Sequence, residues 1–310
     1  METLRVPAGA VWAYLQLMRP ANILTAWADI LVGYAAAGSV IVLGSFGLGP
    51  WEVGLLGSLG WLLLSTTGLY GGGVVFNDVF DRALDQIERP ERPLPSGRAT
   101  LAGAVGLGSV LLGIGILAAA QVSLVSLGLA AGVAVTAVVY DAWGKHQGWL
   151  GPLNMGLCRG GNWLLGVSVL PAMLAERWFL AGIPIVYIAA VTAVSQGEVT
   201  GGKRRTGILA IALVGLVLMS VLGLGLLPGY HGLLALPFAV LFAGLVLPAF
   251  AKATQDPSPM IVQKAVIAGV LSLIVLDAAL AAGFAGWLYG LAVLLLLPLS
   301  RAIAHLFAVT

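Results

Sequence analysis

The chain has 310 residues, 60% of them hydrophobic and 9% charged, and a mean hydropathy of +1.02. That composition excludes a water-facing globular surface and indicates a polytopic membrane protein. A formal net charge of +2 is too small to point to nucleic acid as a partner, and the single cysteine, Cys158, excludes an intrachain disulfide.

Met1–Pro20 carries Arg5 and Arg19 around a short mixed stretch, without the apolar core and small-residue cleavage site of a secretory signal. The first membrane helix is therefore expected to act as the targeting signal. Taking Gly, Pro and charge as punctuation, the apolar segments predict helices at roughly 21–43, 53–76, 100–119, 122–141, 152–173, 178–198, 206–227, 231–251, 264–284 and 287–306. Each is about 20 residues, enough to cross about 30 Å of hydrocarbon, and none alternates as a membrane barrel strand would. The expected fold is all-α, a polytopic membrane bundle of nine or ten transmembrane helices. The last pair, around Gly286, reads equally well as one broken span.

Arg5, Arg19, the 77–98 segment, Lys145, Lys203, Arg204, Arg205, Lys252, Lys264 and Arg301 fall on one side of this arrangement, whereas the other side has only Arg177. The basic side is expected to be cytoplasmic, in the bacterial inner membrane, and an even number of spans would leave both ends there. The 43 glycines recur inside spans, as at Gly71–Gly73 and Gly160–Gly161, where small residues allow close helix approach or leave room for an isoprenoid chain. Polar loops after the second and sixth helices, 77–99 and 199–205, hint at an internal repeat although their sequences differ.

Charged residues crowd into 77–98, directly behind an apolar helix. Asp78, Asp81 and Asp85 are spaced i, i+3, i+7, so a continuous helix would point all of them the same way. Grouped carboxylates suit a hard cation such as Mg²⁺, which takes one or two carboxylates plus phosphate oxygens. Arg89, Arg92 and Arg98 suit diphosphate oxygens, because guanidinium matches phosphate geometry bidentately. The bland alternative is a salt-bridged loop in which Glu88, Glu91 and the aspartates neutralise these arginines and Arg82.

Asn77-Asp78-Val79-Phe80-Asp81, then Asp85 and Arg89-Pro90-Glu91-Arg92-Pro93-Leu94-Pro95-Ser96-Gly97, resembles the first aspartate motif of UbiA-type intramembrane prenyltransferases. The resemblance extends to Arg19 and Asn22 at the first helix, Tyr140 and Lys145 after the fourth, and Asn154 entering the fifth. It implies a single UbiA-like domain over 1–310, with a first half, 1–150, holding the motif at 77–85 and a second half, 151–310, holding a degenerate second motif at 195–205. It also implies a central cavity that binds lipid diphosphate through Mg²⁺, with Asp78, Asp81 and Asp85 as catalytic and metal residues. Within the family, the 15–22 and 151–162 stretches are similar to the EboC subgroup, whose members belong to gene clusters that handle or export secondary-metabolite precursors.

Ser195 to Arg205 falls where the family carries a second aspartate motif, but Ser195 and Gly202 stand where aspartates are expected and Glu198 is the only carboxylate. Glu198 can hold an ion and Lys203 can add charge, or the loop is a basic stop that fixes topology. Asp141 and Lys145 have the spacing of a helical ion pair, while the resemblance makes Lys145 a diphosphate contact. Asp29, Arg159 and Asp277 lie inside spans with Asn154 and Asn162. Arg159 either staples one of those aspartates or faces the substrate. His146, His231 and His305 have no ligand spacing.

The expected substrate contacts are thus Asn22, Asn77, Arg89, Arg92, Lys145, Asn154, Arg159, Glu198 and Lys203, with Mg²⁺ as cofactor and Trp27, Tyr70, Phe76 and Trp163 as candidate aromatic wall. The expected activity is Mg²⁺-dependent transfer of an isoprenoid from a prenyl diphosphate to an unidentified small-molecule acceptor, aromatic ones included. Two other classes stay open: a non-catalytic carrier of a prenylated metabolite, and a transporter coupled to ions through Asp29 and Asp277.

Overall fold

The computed structural model describes residues 9–40, 50–199 and 201–307, and among them every regular element is helical. α1 (Ala10–Leu17) leads into α2 (Pro20–Ala36), followed by α3 (Pro50–Phe80), α4 (Arg82–Glu88), α5 (Leu101–Ala120) and α6 (Leu124–Ala142). The second half holds α7 (Leu150–Val167), α8 (Leu174–Arg177), α9 (Gly182–Ser195), α10 (Arg204–Gly223), α11 (Gly232–Gln255), α12 (Pro259–Ala285), α13 (Trp287–Leu294) and α14 (Leu296–Ala304). Among the described residues 8 helical segments are long and apolar enough to span a membrane. The shorter α2 and the more polar α7 complete the expected set, and the chain is an integral membrane protein.

The breaks have local causes. Arg19 precedes Pro20, which disfavours the right-handed helical region, and it takes φ 48°, ψ 61° between α1 and α2. Thr100 and Ser123 cap α5 and α6, accepting hydrogen bonds from the Gly103 and Ser126 amides. Gly286 adopts φ +91°, so α12 and α13 are separate helices joined by a true reversal. The last span then breaks at Leu295, because the ring of Pro298 obstructs the carbonyl one turn earlier. The turn expected near 44–52 lies mostly outside the described residues.

α12 sits at the centre. In its membrane window 72% of residues are buried, against 22% for α5 and for α6, so α12 faces protein on all sides while the outer helices face lipid. α11, α13, α2 and α9 surround it, and α3 packs along α5. Both ends of the described chain meet at one face of the bundle: Trp12 stacks on Phe307 with ring centroids 4.4 Å apart, and Ser300 Oγ donates to the Ala21 carbonyl at 2.8 Å. An even number of crossings produces that meeting.

Glycines set the tightest contact. A Cβ on Gly166 would lie 2.6 Å from the Ile30 carbonyl oxygen, so α7 and α2 touch backbone to backbone. Gly166→Val is expected to lower stability by about 1–3 kcal/mol or more through overpacking. Gly113→Ala, where a Cβ meets nothing within 4 Å, should leave the thermal melting of the detergent-solubilised protein unchanged. Equal melting of the two variants would contradict the close-packed α2–α7 seam.

Candidate active site at the basic mouth

The first motif folds as a helix end and a returning loop. α3 stops at Phe80, and Asp81 takes φ −84°, ψ 0° before α4 begins. That backbone region is sparsely populated and recurs in active-site residues. Beyond α4, the Pro90, Pro93 and Pro95 series turns the chain back. Leu94 is buried in a small satellite core with Ala13, Leu17, Val75, Ala99 and Ala104, which anchors the loop beside α1 and α3. Arg98 Nη1 donates to Gln16 Oε1 at 2.6 Å and closes this collar.

The anchored loop delivers Arg92 onto the aspartates. Its Nη1 donates to Asp78 Oδ1 at 3.2 Å and to Asp85 Oδ2 at 2.8 Å, and Arg19 Nη2 donates to the same Asp78 oxygen at 2.6 Å. Asp78 and Asp85 are 5% and 3% exposed. The expectation that all three aspartates point one way is therefore corrected. Asp78 and Asp85 share Arg92, while the turn at Asp81 sends its carboxylate elsewhere, to Lys145 Nζ at 2.6 Å. Lys145 thus pairs with Asp81 across the mouth and not with Asp141 along its own segment. Asp141 instead accepts from Asn77 Nδ2 at 2.8 Å.

Below this collar lies a cavity of about 490 Å³. Its rim holds Arg19, Asn22, Asn77, Asp81, Arg89, Lys145 and Glu198, and its wall is largely apolar, formed by residues such as Leu69, Val74, Val133, Ala137, Ile188, Val191, Val266 and Leu273. Arg159 and Asn162 lie deeper in the same lining with Thr25 and Thr66. Of the aromatic residues expected to line it only Tyr70 does so, joined by Tyr140. Trp163 is fully buried, Phe76 packs at Gly108, and Trp27 Nε1 donates to Thr67 Oγ1 at 2.8 Å. Asp78, Asp85, Arg92, Asn154 and Lys203 lie outside the lining: the aspartates and Arg92 are engaged with one another, Asn154 sits against Gly144, and Lys203 is an exposed cap before α10.

The two motif regions meet across the mouth. Arg89 Nη2 stands 3.8 Å from Glu198 Oε2, and Gln196 Nε2 donates to the Gly148 carbonyl at 3.0 Å. Burial raises the Glu198 carboxyl above its ordinary range, against the opposing pull of Arg89, Arg19 and Arg92. Sequence reasoning missed Thr25, Thr66, Thr192 and Gln263 of the lining. Their only signal is polarity at single positions in apolar helices.

The donor set fits one hard cation. Asp81 and Glu198 offer carboxylate oxygens, and Asn22 Oδ1, buried on the rim, has no hydrogen-bond partner. Among the described residues no three His, Cys, Asp or Glu side chains converge as a ready metal cluster. Mg²⁺ bound there would be held by one or two carboxylates and completed by phosphate oxygens.

The UbiA prenyltransferase family profile matches residues 30–266. The chain belongs to the UbiA prenyltransferase family. Digeranylgeranylglyceryl phosphate synthase of Methanoculleus marisnigri is 30% identical over 233 residues, 70% of this chain and 78% of that protein. The Sulfolobus acidocaldarius enzyme of the same name is 27% identical over 225 residues, 68% and 77% of the respective chains. The match to the Methanosarcina barkeri enzyme spans 56% of that relative, about half its length. Among solved structures, an apo UbiA homologue from Aeropyrum pernix superposes with a TM-score of 0.65 at 15% identity, covering 82% of this chain and 96% of that one. A homologue from Archaeoglobus fulgidus bound to GPP and Mg²⁺ has a TM-score of 0.59 at 18% identity, covering 91% and 99%.

Arg92 is the cation common to two buried carboxylates, so its removal leaves both under-compensated. Arg92→Ala is expected to cost about 3–5 kcal/mol, and Arg92→Lys to recover only part of it, since an ammonium cannot hold a fork geometry. Exposed Arg82→Ala should shift stability by about 0.5 kcal/mol or less. Thermal melts of the three variants in one detergent check this ranking.

Proposed function

We propose that the protein transfers an isoprenoid group from a prenyl diphosphate to a small-molecule acceptor, with Mg²⁺ at the mouth of the cavity. The observation that carries this reading is that Asp81 and Glu198, from the two motif regions, both line the polar rim of one cavity whose wall is largely apolar. Mg²⁺ bound there would neutralise the diphosphate and favour its departure. Arg19, Arg89 and Lys145 supply further donors to diphosphate oxygens from the same rim. The apolar wall keeps water from the allylic cation, and the ring faces of Tyr70 and Tyr140 offer it negative charge.

Asn22, Asn77 and Arg159 complete the proposed substrate contacts. Asp78 and Asp85 would complete the metal set, with Arg92, which they now hold, as the donor they would yield to the diphosphate. Asn154 and Lys203 act as outer supports, through Gly144 and the start of α10. The unit functions as one domain over 1–310, with the mouth on the cytoplasmic side of a bacterial inner membrane, as the concentration of Lys and Arg at that end supports. The relatives' name adds a glyceryl phosphate type of acceptor to the aromatic one. Kinship with the EboC subgroup, and with it a place in secondary metabolism, rests on the 15–22 and 151–162 stretches alone.

A second reading is favoured by Ser195 and Gly202, which leave Glu198 as the sole carboxylate of its loop: a carrier that binds the prenylated ligand without turning it over. Purified protein in nanodiscs, given GPP, Mg²⁺ and a panel of glyceryl phosphate and aromatic acceptors, separates the two. Diphosphate release that falls about 10²-fold or more in Asp81→Ala supports the transferase. Tight Mg²⁺-dependent binding of GPP with no release in any variant would overturn it in favour of the carrier.

A further inference from the structure

Three ionisable side chains meet in the bundle interior, deeper than the mouth. Asp29 on α2, Arg159 on α7 and Asp277 on α12 are 0%, 8% and 1% exposed. Arg159 Nε lies 2.8 Å from Asp29 Oδ2, and its Nη2 donates to Thr25 Oγ1 at 2.6 Å. Asn162 Nδ2 donates to the same Asp29 oxygen at 2.8 Å, and its own Oδ1 accepts from Thr66 at 2.6 Å. Asp29 Oδ2 is therefore doubly engaged. Asp29 Oδ1 and both carboxyl oxygens of Asp277 receive no hydrogen bond from any donor among the described residues. Asp277 is nevertheless brought beside Asp29, because α12 packs along α2.

Among the described residues no further Lys, Arg or His pairs with either carboxyl group. Tyr187 on α9 donates its hydroxyl to the Gly269 carbonyl at 2.7 Å, and Tyr289 on α13, neighbour to Tyr34, donates to the Leu31 carbonyl at 3.0 Å. Lys252, Lys264 and Arg301, on α11, α12 and α14, are exposed. One guanidinium thus faces two buried carboxyl groups. Two adjacent carboxylates with one cation would leave an uncompensated charge where desolvation costs most, whereas a single proton between them removes that charge and engages two of the three orphaned oxygens at once.

We propose that Asp277 is a neutral carboxylic acid that donates its proton in a hydrogen bond to Asp29 Oδ1, and that this pair is the device that holds Arg159 against the cavity. Asp277 is a positioning residue, acting through Asp29 and never touching substrate. The trio carries no net charge, so the Nη1 group that Arg159 has left over suits an uncharged oxygen of the substrate, a carbonyl or hydroxyl, better than a second phosphate. That substrate contact rests on the function proposed above; the shared proton does not.

Infrared spectra of the full chain in nanodiscs, isotope-labelled at its aspartate carboxyl carbons, test it without turnover. At neutral pH the difference spectrum of wild type minus Asp277→Asn should show a carboxylic-acid carbonyl component, separate from the buried acids of the mouth such as Asp141, which both proteins share. Asp29→Asn should remove that component as well, because Asp277 then becomes the only carboxylate beside Arg159 and ionises. Arg159→Gln should raise it about twofold, since neither acid then has a cation. Absence of that component from the difference spectrum against Asp277→Asn or against Asp29→Asn overturns the proposal. If Asp29→Asn fails to fold, the other two spectra decide. A protein that releases no diphosphate leaves this test standing, so the two readings fail separately.

Discussion

Arg92 sits between two carboxylates that the apolar bundle would otherwise strand. Asp78 ends a membrane helix and Asp85 lies a short way beyond it, both nearly sealed from solvent, and the one guanidinium donates to each. Desolvated acids in that setting are tolerable only with a partner of good geometry. The proline-rich return and the burial of Leu94 exist, in physical terms, to deliver that partner. With Asp78 and Asp85 held, α3 can end where it does, and Asp81 is left at a turn with its carboxylate toward the cavity.

Pairing then organises the whole mouth. Lys145 meets Asp81, Arg89 approaches Glu198, and Arg19 closes the network from the start of α2. Arg19 is the one described residue other than glycine with positive φ, a costly backbone state that its position before Pro20 and its grip on Asp78 together maintain. A diphosphate entering this rim would exchange partners with cations already gathered there, so little reorganisation is needed. Beneath it the wall turns largely apolar, with Arg159, Asn162, Thr25 and Thr66 as its deep polar members.

Much of the fold was legible in the amino-acid sequence, because hydropathy over about 20 residues is a strong signal in lipid. Punctuation at Gly286 was legible, but whether it divides two spans or breaks one was not, so the side on which the chain ends stayed open between an odd and an even count. The position of the first motif behind α3 followed from charge crowding. What could not be read was pairing between segments far apart in sequence. The i, i+4 spacing suggested Asp141 with Lys145, yet packing of α3 against α6 places Asn77 on Asp141 and frees Lys145 for Asp81. The helical face drawn for Asp78, Asp81 and Asp85 failed for a local reason, the turn at Asp81. Tyr70 reached the cavity and Trp163 did not, because which face of an all-apolar helix turns inward is settled by neighbours and not by composition.

The central claim is that carboxylates from both halves of the chain, Asp81 and Glu198, act together on one metal–diphosphate unit. Calorimetry of geranyl thiolodiphosphate binding with and without Mg²⁺, in the wild type, Asp81→Asn, Glu198→Gln and the double variant, addresses it directly. A shared ion predicts that the Mg²⁺-dependent losses are non-additive, with an interaction energy of about 1 kcal/mol or more. Additive losses, or binding indifferent to Mg²⁺ in the wild type, would contradict it.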